Sequence, residues 1–532
     1  MSRLTSGKNV LLLLLLVMCL LISGCGGNKV PQEKSAEGES PQEKIPQELV
    51  IGSPWTPKEL DPVSAGWLVL RIGLVDTLVA IDYDINLVPG LAKSWEISSD
   101  ELEWTFKLEE GVKFHDGTPL NAEAVKWSLE RVMEKGTLFK DVPIKSIEAR
   151  GDYTLTIVTE ELFAPLAAIL AKGEAAPVSK NSLDANGEFK EIIGTGPFML
   201  SSWIPDQEAV LVRNDDYWGK IPTLDKVVYK GIPEAATRIM MLENKELDVA
   251  QILPADAVEQ LEANPEIKVY TKPILRSRVI VLNMLREPFN DLRVRKAVNH
   301  AIDRESIVKH IMAGVDVAAS GPFPPTTPWV NKNLQGYPYD LEKAKTLLAE
   351  AGWKDSDNSG IIKKDGKPFT VDLITYSTRA ELPPMAEVIQ DQLKKAGIQV
   401  NIQVLETGAA QSLREEGKFD MYLLARNLGF APDPSYYLMS DFHSKNTGGK
   451  GWGAYGFNNK HVDELIELTQ RTTNLQERKK YFAKLQEIIV DETPVMFLNH
   501  YVNVTAVRSN VQGYNEHPTE SCFHLENIYI GE

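Results

Sequence analysis

Two of the chain's 8 histidines, His517 and His524, stand close together near the C-terminus of its 532 residues. Imidazole is a common ligand of divalent transition metals. The spacing leaves two readings open: a pair of metal ligands, or a loop histidine followed by a strand histidine. Three arginines, Arg276, Arg278 and Arg426, can each hold a carboxylate bidentately, or serve as surface and salt-bridge residues. Arg293, Arg295 and Lys296 read as the solvated face of a helix rather than an anion site. Residues 355–360, Asp-Ser-Asp-Asn-Ser-Gly, begin like a calcium loop, but its twelfth position would be Gly366, where calcium needs a bidentate Glu. They read as a polar turn. The sequence holds no Gly-x-Ser-x-Gly, His-Glu-x-x-His, Cys-x-x-Cys or Walker loop. Gly194-Thr195-Gly196 is followed by a strand pattern and not by Lys-Ser or Lys-Thr, so it is no phosphate loop. No catalytic constellation stands out.

These residues must be positioned by an α/β framework. Residues 91–130 read as strand, turn, strand and helix. Trp104, Phe106 and Leu108 alternate with Thr105 and Lys107, the period of a half-buried strand. Asp116-Gly117 is a turn dipeptide, and Asn121 can cap a helix carrying Val125, Leu129 and Val132 on one face. Further strands are expected at 49–52, 153–158, 198–203, 227–231, 269–271, 278–283 and 361–362. Helices are expected at 68–79, 234–243, 254–263, from Asp291, and at 341–351 with Gly352 as its stop. A strand at 369–376, a helix at 384–396 and a strand at 399–404 form a β-α-β unit, which implies parallel strands. Strands at 421–425, 495–499 and 502–507 and helices at 462–472 and 475–492 complete the pattern.

Four ordered motifs carry a resemblance. They are Leu-Ala-x-Ser-Trp through Trp-Thr-Phe-x-Leu to Val-x-Phe-His-Asp-Gly-x-Pro-Leu; Gly194-Thr195-Gly196-Pro197-Phe198; Arg213-Asn214-x-x-Tyr217-Trp218-Gly219; and Phe289-Asn290-Asp291-x-Arg293-Val294-Arg295-x-Ala297. From about Leu49 to the C-terminus the chain resembles the dipeptide-, oligopeptide- and nickel-binding proteins of ABC importers, extracytoplasmic solute-binding family 5. The resemblance implies a two-lobed, periplasmic-binding-protein-like α/β fold of the large type II class, closing about a hinge. The first lobe would be 48–272, rejoined by 491–532, and the second 273–490.

The N-terminus fits an exported protein. Arg3 and Lys8 precede an apolar run, 10–22, which is too short to span a bilayer and suits a signal peptide over 1–24. Ile22-Ser23-Gly24-Cys25 resembles a lipobox, which would place two acyl chains on Cys25, enough for stable anchoring. Residues 25–47 are polar, repeat Pro-Gln-Glu-Lys and read as a disordered tether. The formal charge is −17, and loss of Arg3 and Lys8 with the leader makes it −19. Such a surface argues against a nucleic-acid partner. Of 3 cysteines, Cys19 leaves with the leader and Cys25 carries lipid, so Cys522 has no disulfide partner and reads as a small core residue.

The ligand is argued from the resemblance. In many peptide-binding members an Asp after the Gly of the segment 426–434 pairs with the peptide amine; here that position is Phe430, and Asp433-Pro434 reads as a turn. Nickel-binding members are similar here, with His443 in the loop that can carry a metal-ligating histidine, and His517 and His524 near a C-terminal histidine that reaches the cleft in some members. Lys172-Gly173-Glu174 matches poorly the basic residue that grips a chelator. The expected ligand set is Trp55, Arg276, Arg278, Arg426, Phe430 and Trp452, with His443, His517 and His524 on the metal. The expected ligand is Ni²⁺ held by a carboxylate-bearing chelator, with no cofactor. A di- or oligopeptide is the alternative, and a lipid-anchored hydrolase or chaperone on the same scaffold a third reading. The implied partners are an ABC permease and ATPase and the membrane, for a monomer anchored outside the cytoplasmic membrane.

Overall fold

The alternation of Trp104, Phe106 and Leu108 builds the strand Glu103–Leu108, which buries all three on one face. The computed structural model describes residues 47–429, 432–449 and 451–531. The leader, Cys25, the 25–46 tether and Phe430 therefore fall outside the described residues. Glu103–Leu108 lies in a four-stranded antiparallel sheet, between Ala92–Ile97 and Thr154–Thr159, with Ile144–Ala149 at the far edge. Asn121 caps the helix Ala122–Lys135 by accepting from the Ala124 amide at 2.9 Å. Val125, Leu129 and Val132 are buried from that helix, as their spacing requires.

The largest sheet carries the β-α-β logic. Thr370–Tyr376 runs parallel to both Gln399–Leu405 and Met421–Asn427, and the crossover helix is Leu382–Lys395. Glu48–Ser53 likewise runs parallel to Lys226–Gly231 and to Val249–Ala250. Two long strands, Ile267–Leu282 and Val495–Arg508, join these two parallel sets into one eleven-stranded sheet.

Each long strand had been expected as two short ones, and the physical reason sits at the joint. Pro273 has no amide to donate to the ladder, and the register between the long strands shifts between Pro273 and Ser277. Within that bulge the Leu275 amide donates instead to the Pro518 carbonyl at 3.1 Å. On one side of the joint Ile267–Pro273 pairs with Val502–Arg508; on the other, Ser277–Val281 pairs with Val495–His500.

Other expectations shift for local reasons. The helix expected at 68–79 is Pro62–Arg71: Asp61 caps it, Pro62 opens it, and Gly73, at φ +77°, lies past its end. Residues 72–78 then run into the short strand Val79–Ile81. The helix expected at 254–263 divides into a 3₁₀ turn, Ala255–Ala257, and a short helix, Val258–Glu262. The strand expected at 361–362 lies one step on, as the hairpin Lys363–Lys364 with Lys367–Pro368 around Asp365-Gly366. Residues 355–360 are a polar turn, in which the Ser359 and Gly360 amides donate to Asp355 at 3.1 and 3.0 Å. Among the described residues no helix is long and apolar enough to cross a membrane.

Candidate functional site

Side chains just past the carboxyl ends of parallel strands are where open α/β sheets bind ligands. Both parallel sets deliver residues to one cavity of about 660 Å³. Pro54 and Trp55 follow Glu48–Ser53; Thr378 to Glu381 follow Thr370–Tyr376. The floor is Tyr501 to Val504, from the second long strand beside the joint. The volume suits a small ligand, since such pockets run to roughly 300–1,000 Å³.

Three arginines line this cavity, and they differ in what holds them. Arg238 donates to the carbonyls of Ile232, Pro233, Gln251 and Ile252, at 2.5 to 3.0 Å. Burial lowers its guanidinium to about 10. It fastens one wall and has little left for a ligand. Arg278 is 2% exposed. It donates to Glu381 Oε1 at 3.2 and 3.0 Å and also pairs with Asp316. Its guanidinium lies 3.4 Å from the centroid of the Tyr501 ring, whose hydroxyl donates to Glu381 at 2.6 Å. Burial pushes the Asp316 carboxyl up, against the pull of Arg278. For Glu381 burial is outweighed by Arg278 and the Tyr501 hydroxyl, which hold it below the usual range. Arg379 is different. Half-buried, with its guanidinium 6.0 Å from the Tyr501 centroid, it makes no ion pair and no side-chain hydrogen bond among the described residues.

The arginines expected to bind ligand each have a carboxylate partner within the chain. A buried guanidinium needs acceptors, and for these three the chain supplies carboxylates. Arg276 pairs with Glu520 at 3.2 Å, both side chains nearly buried. Arg426 makes a bidentate pair with Asp441, at 2.7 and 2.6 Å. Arg278 lines the cavity but is held by Asp316 and Glu381. Trp55 does line the cavity, edge-on to Trp67 with centroids 6.3 Å apart, and its indole Nε1 is buried without a hydrogen-bond partner. Trp452 does not line it; it is 38% exposed under the Arg414 guanidinium. Lys172 borders a separate pocket of about 30 Å³ with Leu428 and Tyr436, its ammonium 3.6 Å from Glu174. Asp433 caps the helix Pro434–Phe442 and pairs with Arg478 at 2.7 Å, as a structural turn residue should.

The three histidines expected on one metal are not brought together. Among the described residues no group of three or more His, Cys, Asp or Glu side chains could hold a metal ion. His443 is buried against Glu467 and Asp463, at 3.4 and 3.6 Å. His517 has both nitrogens engaged: Nε2 with the Ile81 carbonyl at 3.2 Å, Nδ1 with the Thr519 hydroxyl at 2.8 Å. Its ring stands 5.5 Å from that of His524. The Cys522 sulfur and Glu526 raise His524 to about 11, and its Nε2 is buried without a hydrogen-bond partner among the described residues. Cys522 is half-buried rather than a core residue, and lines a cavity of about 210 Å³ with His524 and Glu526.

Sequence reasoning missed Arg379, Asp316, Glu381 and Tyr501. The available signal was positional: Arg379 comes directly after a strand of the recognised β-α-β unit, where a parallel sheet presents its ligand-binding residues.

Burial also fixes a pH response. At the joint, His500 Nδ1 lies 2.8 Å from the Ser277 hydroxyl, and burial lowers the imidazole from 6.5 to about 3. His517 is lowered to about 3 in the same way, chiefly by burial. Between those values the unfolded chain binds protons at these two positions that the folded one does not, so their contribution to stability is full above pH 6.5 and falls as pH drops toward 3. Urea midpoints should decline across that window, and His500→Gln should flatten the decline. A midpoint independent of pH from 6.5 to 4 would contradict the assignment.

Comparison with known proteins now adds to this geometry. Residues 86–449 match the family of bacterial extracellular solute-binding proteins, family 5 middle. The chain belongs to this family. As a family 5 protein it is similar to the oligopeptide-binding protein AppA of Bacillus subtilis, 29% identical over 98% of each chain. The crystal structure of AppA with a nonapeptide superposes with a TM-score of 0.74 at 28% identity, covering 92% of this chain and 100% of AppA. The nickel-binding periplasmic protein of Escherichia coli is 31% identical over 69% of this chain and 72% of its own. The structure of NikA from Staphylococcus aureus with Ni(L-His)₂ matches with a TM-score of 0.74 at 25% identity, covering 91% of this chain and 100% of that one. The mixed α/β architecture is that of the periplasmic-binding-protein class. These relatives are solute-binding proteins, not enzymes.

Proposed function

We propose that the chain is the substrate-binding protein of an ABC importer and captures a short peptide, gripping a ligand carboxylate with Arg379. The observation that carries the reading is the state of the three cavity arginines: two are held by the protein itself, and Arg379 is left open to the cavity. A guanidinium selects carboxylates because its fork matches their geometry. Arg379 also stands just ahead of the helix Leu382–Lys395, whose N-terminal dipole favours an anion. Trp55 adds an apolar surface with one free indole donor. A permease and ATPase are the proposed partners, with an anchor on Cys25 holding the protein outside the cytoplasmic membrane.

A nickel chelate is the second reading, favoured by the similarity to S. aureus NikA with Ni(L-His)₂. Since His443 and His517 are engaged by protein groups, such a chelate would be held mainly through its own carboxylates. Calorimetry separates the readings. The protein is titrated with Ala-Ala-Ala and, separately, with Ni²⁺ plus histidine. Micromolar or tighter binding of the tripeptide alone is expected; binding of the nickel complex with no response to peptides would replace the first reading by the second.

The lobes proposed are 48–272 with 491–532, and 273–490. The ladder between the two long strands is interrupted at Pro273–Ser277, by the first of these boundaries, and opposite it at His500–Val502. Because the cavity takes residues from both sides of that joint, ligand should favour the closed form. Solution scattering should show a smaller radius of gyration at saturating tripeptide, and an unchanged radius with bound peptide would count against a closing cleft.

A further inference from the structure

Besides its three arginines the cavity is lined by three acids, Asp256, Asp316 and Glu381. Asp316 is already occupied: it pairs with Arg278 and accepts from Asn499 Nδ2 and from the Val502 amide, the latter at 3.0 Å. Glu381 accepts from Arg278 and from the Tyr501 hydroxyl. Asp256 is the remaining acid. It sits on the 3₁₀ turn Ala255–Ala257, exposed, with no side-chain hydrogen bond and no ion pair among the described residues. The cavity therefore keeps one uncommitted charge of each sign. Arg379 belongs to the wall after Thr370–Tyr376, and Asp256 to the wall after Val249–Ala250, on the other side of the joint between the long strands.

A ligand that meets both charges must be positive at one end and negative at the other. We propose that Asp256 receives the α-ammonium of the bound peptide, making it a specificity-determining residue for zwitterionic ligands. This rests on the peptide reading given above. Asp433, the carboxylate closest in sequence to Phe430, cannot take the part, since it caps its helix and pairs with Arg478. The three arginines and three acids leave the cavity lining neutral, which also suits a ligand with no net charge. With its ammonium on one wall and its carboxylate on the other, a zwitterion would bridge the two sides of the joint, so the interactions that select the peptide would also favour closure. In the open form Asp256 is a solvated carboxylate and attracts only weakly; as the cleft closes and water leaves, the same charge attracts more strongly.

The test uses the full-length protein, as wild type and as Asp256→Asn, titrated calorimetrically with Ala-Ala-Ala and with N-acetyl-Ala-Ala-Ala. Acetylation removes the ammonium and leaves the carboxylate. In wild type it should weaken binding about tenfold, within the range of one partly desolvated charge pair. In Asp256→Asn the free peptide should bind about fivefold more weakly than to wild type, the acetylated peptide should bind as it does to wild type, and the acetylation penalty should shrink to about twofold. Asp256 is exposed and unbonded, so folding should be untouched, and equal thermal midpoints for the two proteins check that. An undiminished acetylation penalty in Asp256→Asn would overturn the assignment while leaving the peptide reading intact. If neither peptide binds wild type, the peptide reading falls and this inference falls with it.

Discussion

Asp316→Ala should cost roughly 3 kcal/mol of folding stability, the lower part of the range for breaking a buried ion pair. The Asp316 side chain is 1% exposed and the Arg278 side chain 3%. Removing the carboxylate leaves the Val502 amide and Asn499 Nδ2 without their acceptor and Arg278 with Glu381 alone. The second partner keeps the loss at the low end. Asp316→Asn should recover part of it, because an amide oxygen can still accept from Val502. Urea midpoints at pH 7, with the slope unchanged, read both effects. A loss below about 1 kcal/mol for the alanine variant would mean that the pair is not desolvated as described. The position also bears on binding, because Arg278 and Tyr501 line the same cavity as Arg379.

Arg379→Gln should weaken binding of a carboxylate ligand by roughly 10- to 100-fold, since a hydrogen bond to a charged group contributes about 1.5–3 kcal/mol. The fold should change little, because Arg379 makes no ion pair among the described residues and only adds its charge to that of Arg278 near Glu381. The informative comparison is with a peptide amide. Ala-Ala-Ala amide should bind wild type poorly and Arg379→Gln about equally poorly, a non-additive double cycle that locates the carboxylate at this residue. If the amide and the acid bind wild type alike, Arg379 does not read the carboxylate. Arg276→Gln and Arg426→Gln differ in kind: each leaves a buried carboxylate, Glu520 or Asp441, without its cation, so their main effect should be on stability.

What the sequence made legible follows from how local each feature is. Glu103–Leu108 and its capped helix were legible because alternation and an Asn cap are encoded within a few residues. The helix Leu475–Glu492 has the expected bounds, since Asn474 caps it and its apolar face is continuous. The parallel pairing of Thr370–Tyr376 with Gln399–Leu405 followed from the crossover helix between them. The long strands were not legible as single elements, because Pro273 and the bulge after it interrupt the pattern while the pairing itself is long-range. Pro62–Arg71 was misplaced because apolar spacing was followed past Gly73, although Asp61-Pro62 and Gly73 mark its true ends.

The site was harder to read than the fold. An arginine's availability depends on whether a carboxylate from elsewhere in the chain reaches it. Arg276 and Glu520 are far apart in sequence, as are Arg278 and Glu381, and no local pattern announces either pair. Arg379 looks ordinary in sequence and is distinguished only by having no such partner. The surroundings of the histidines are set over the same long range. His517 and His524 are near each other in sequence and in space, yet the first is engaged by Ile81 and Thr519 while the second lies against Cys522 and Glu526.

The most direct test of the central claim is native mass spectrometry of the protein purified from its own cells without denaturant. The account predicts a bound population whose extra mass, released on denaturation, resolves into short peptides with free carboxyl termini and carries no nickel isotope pattern. A single bound species with that isotope pattern, and no peptide, would contradict it.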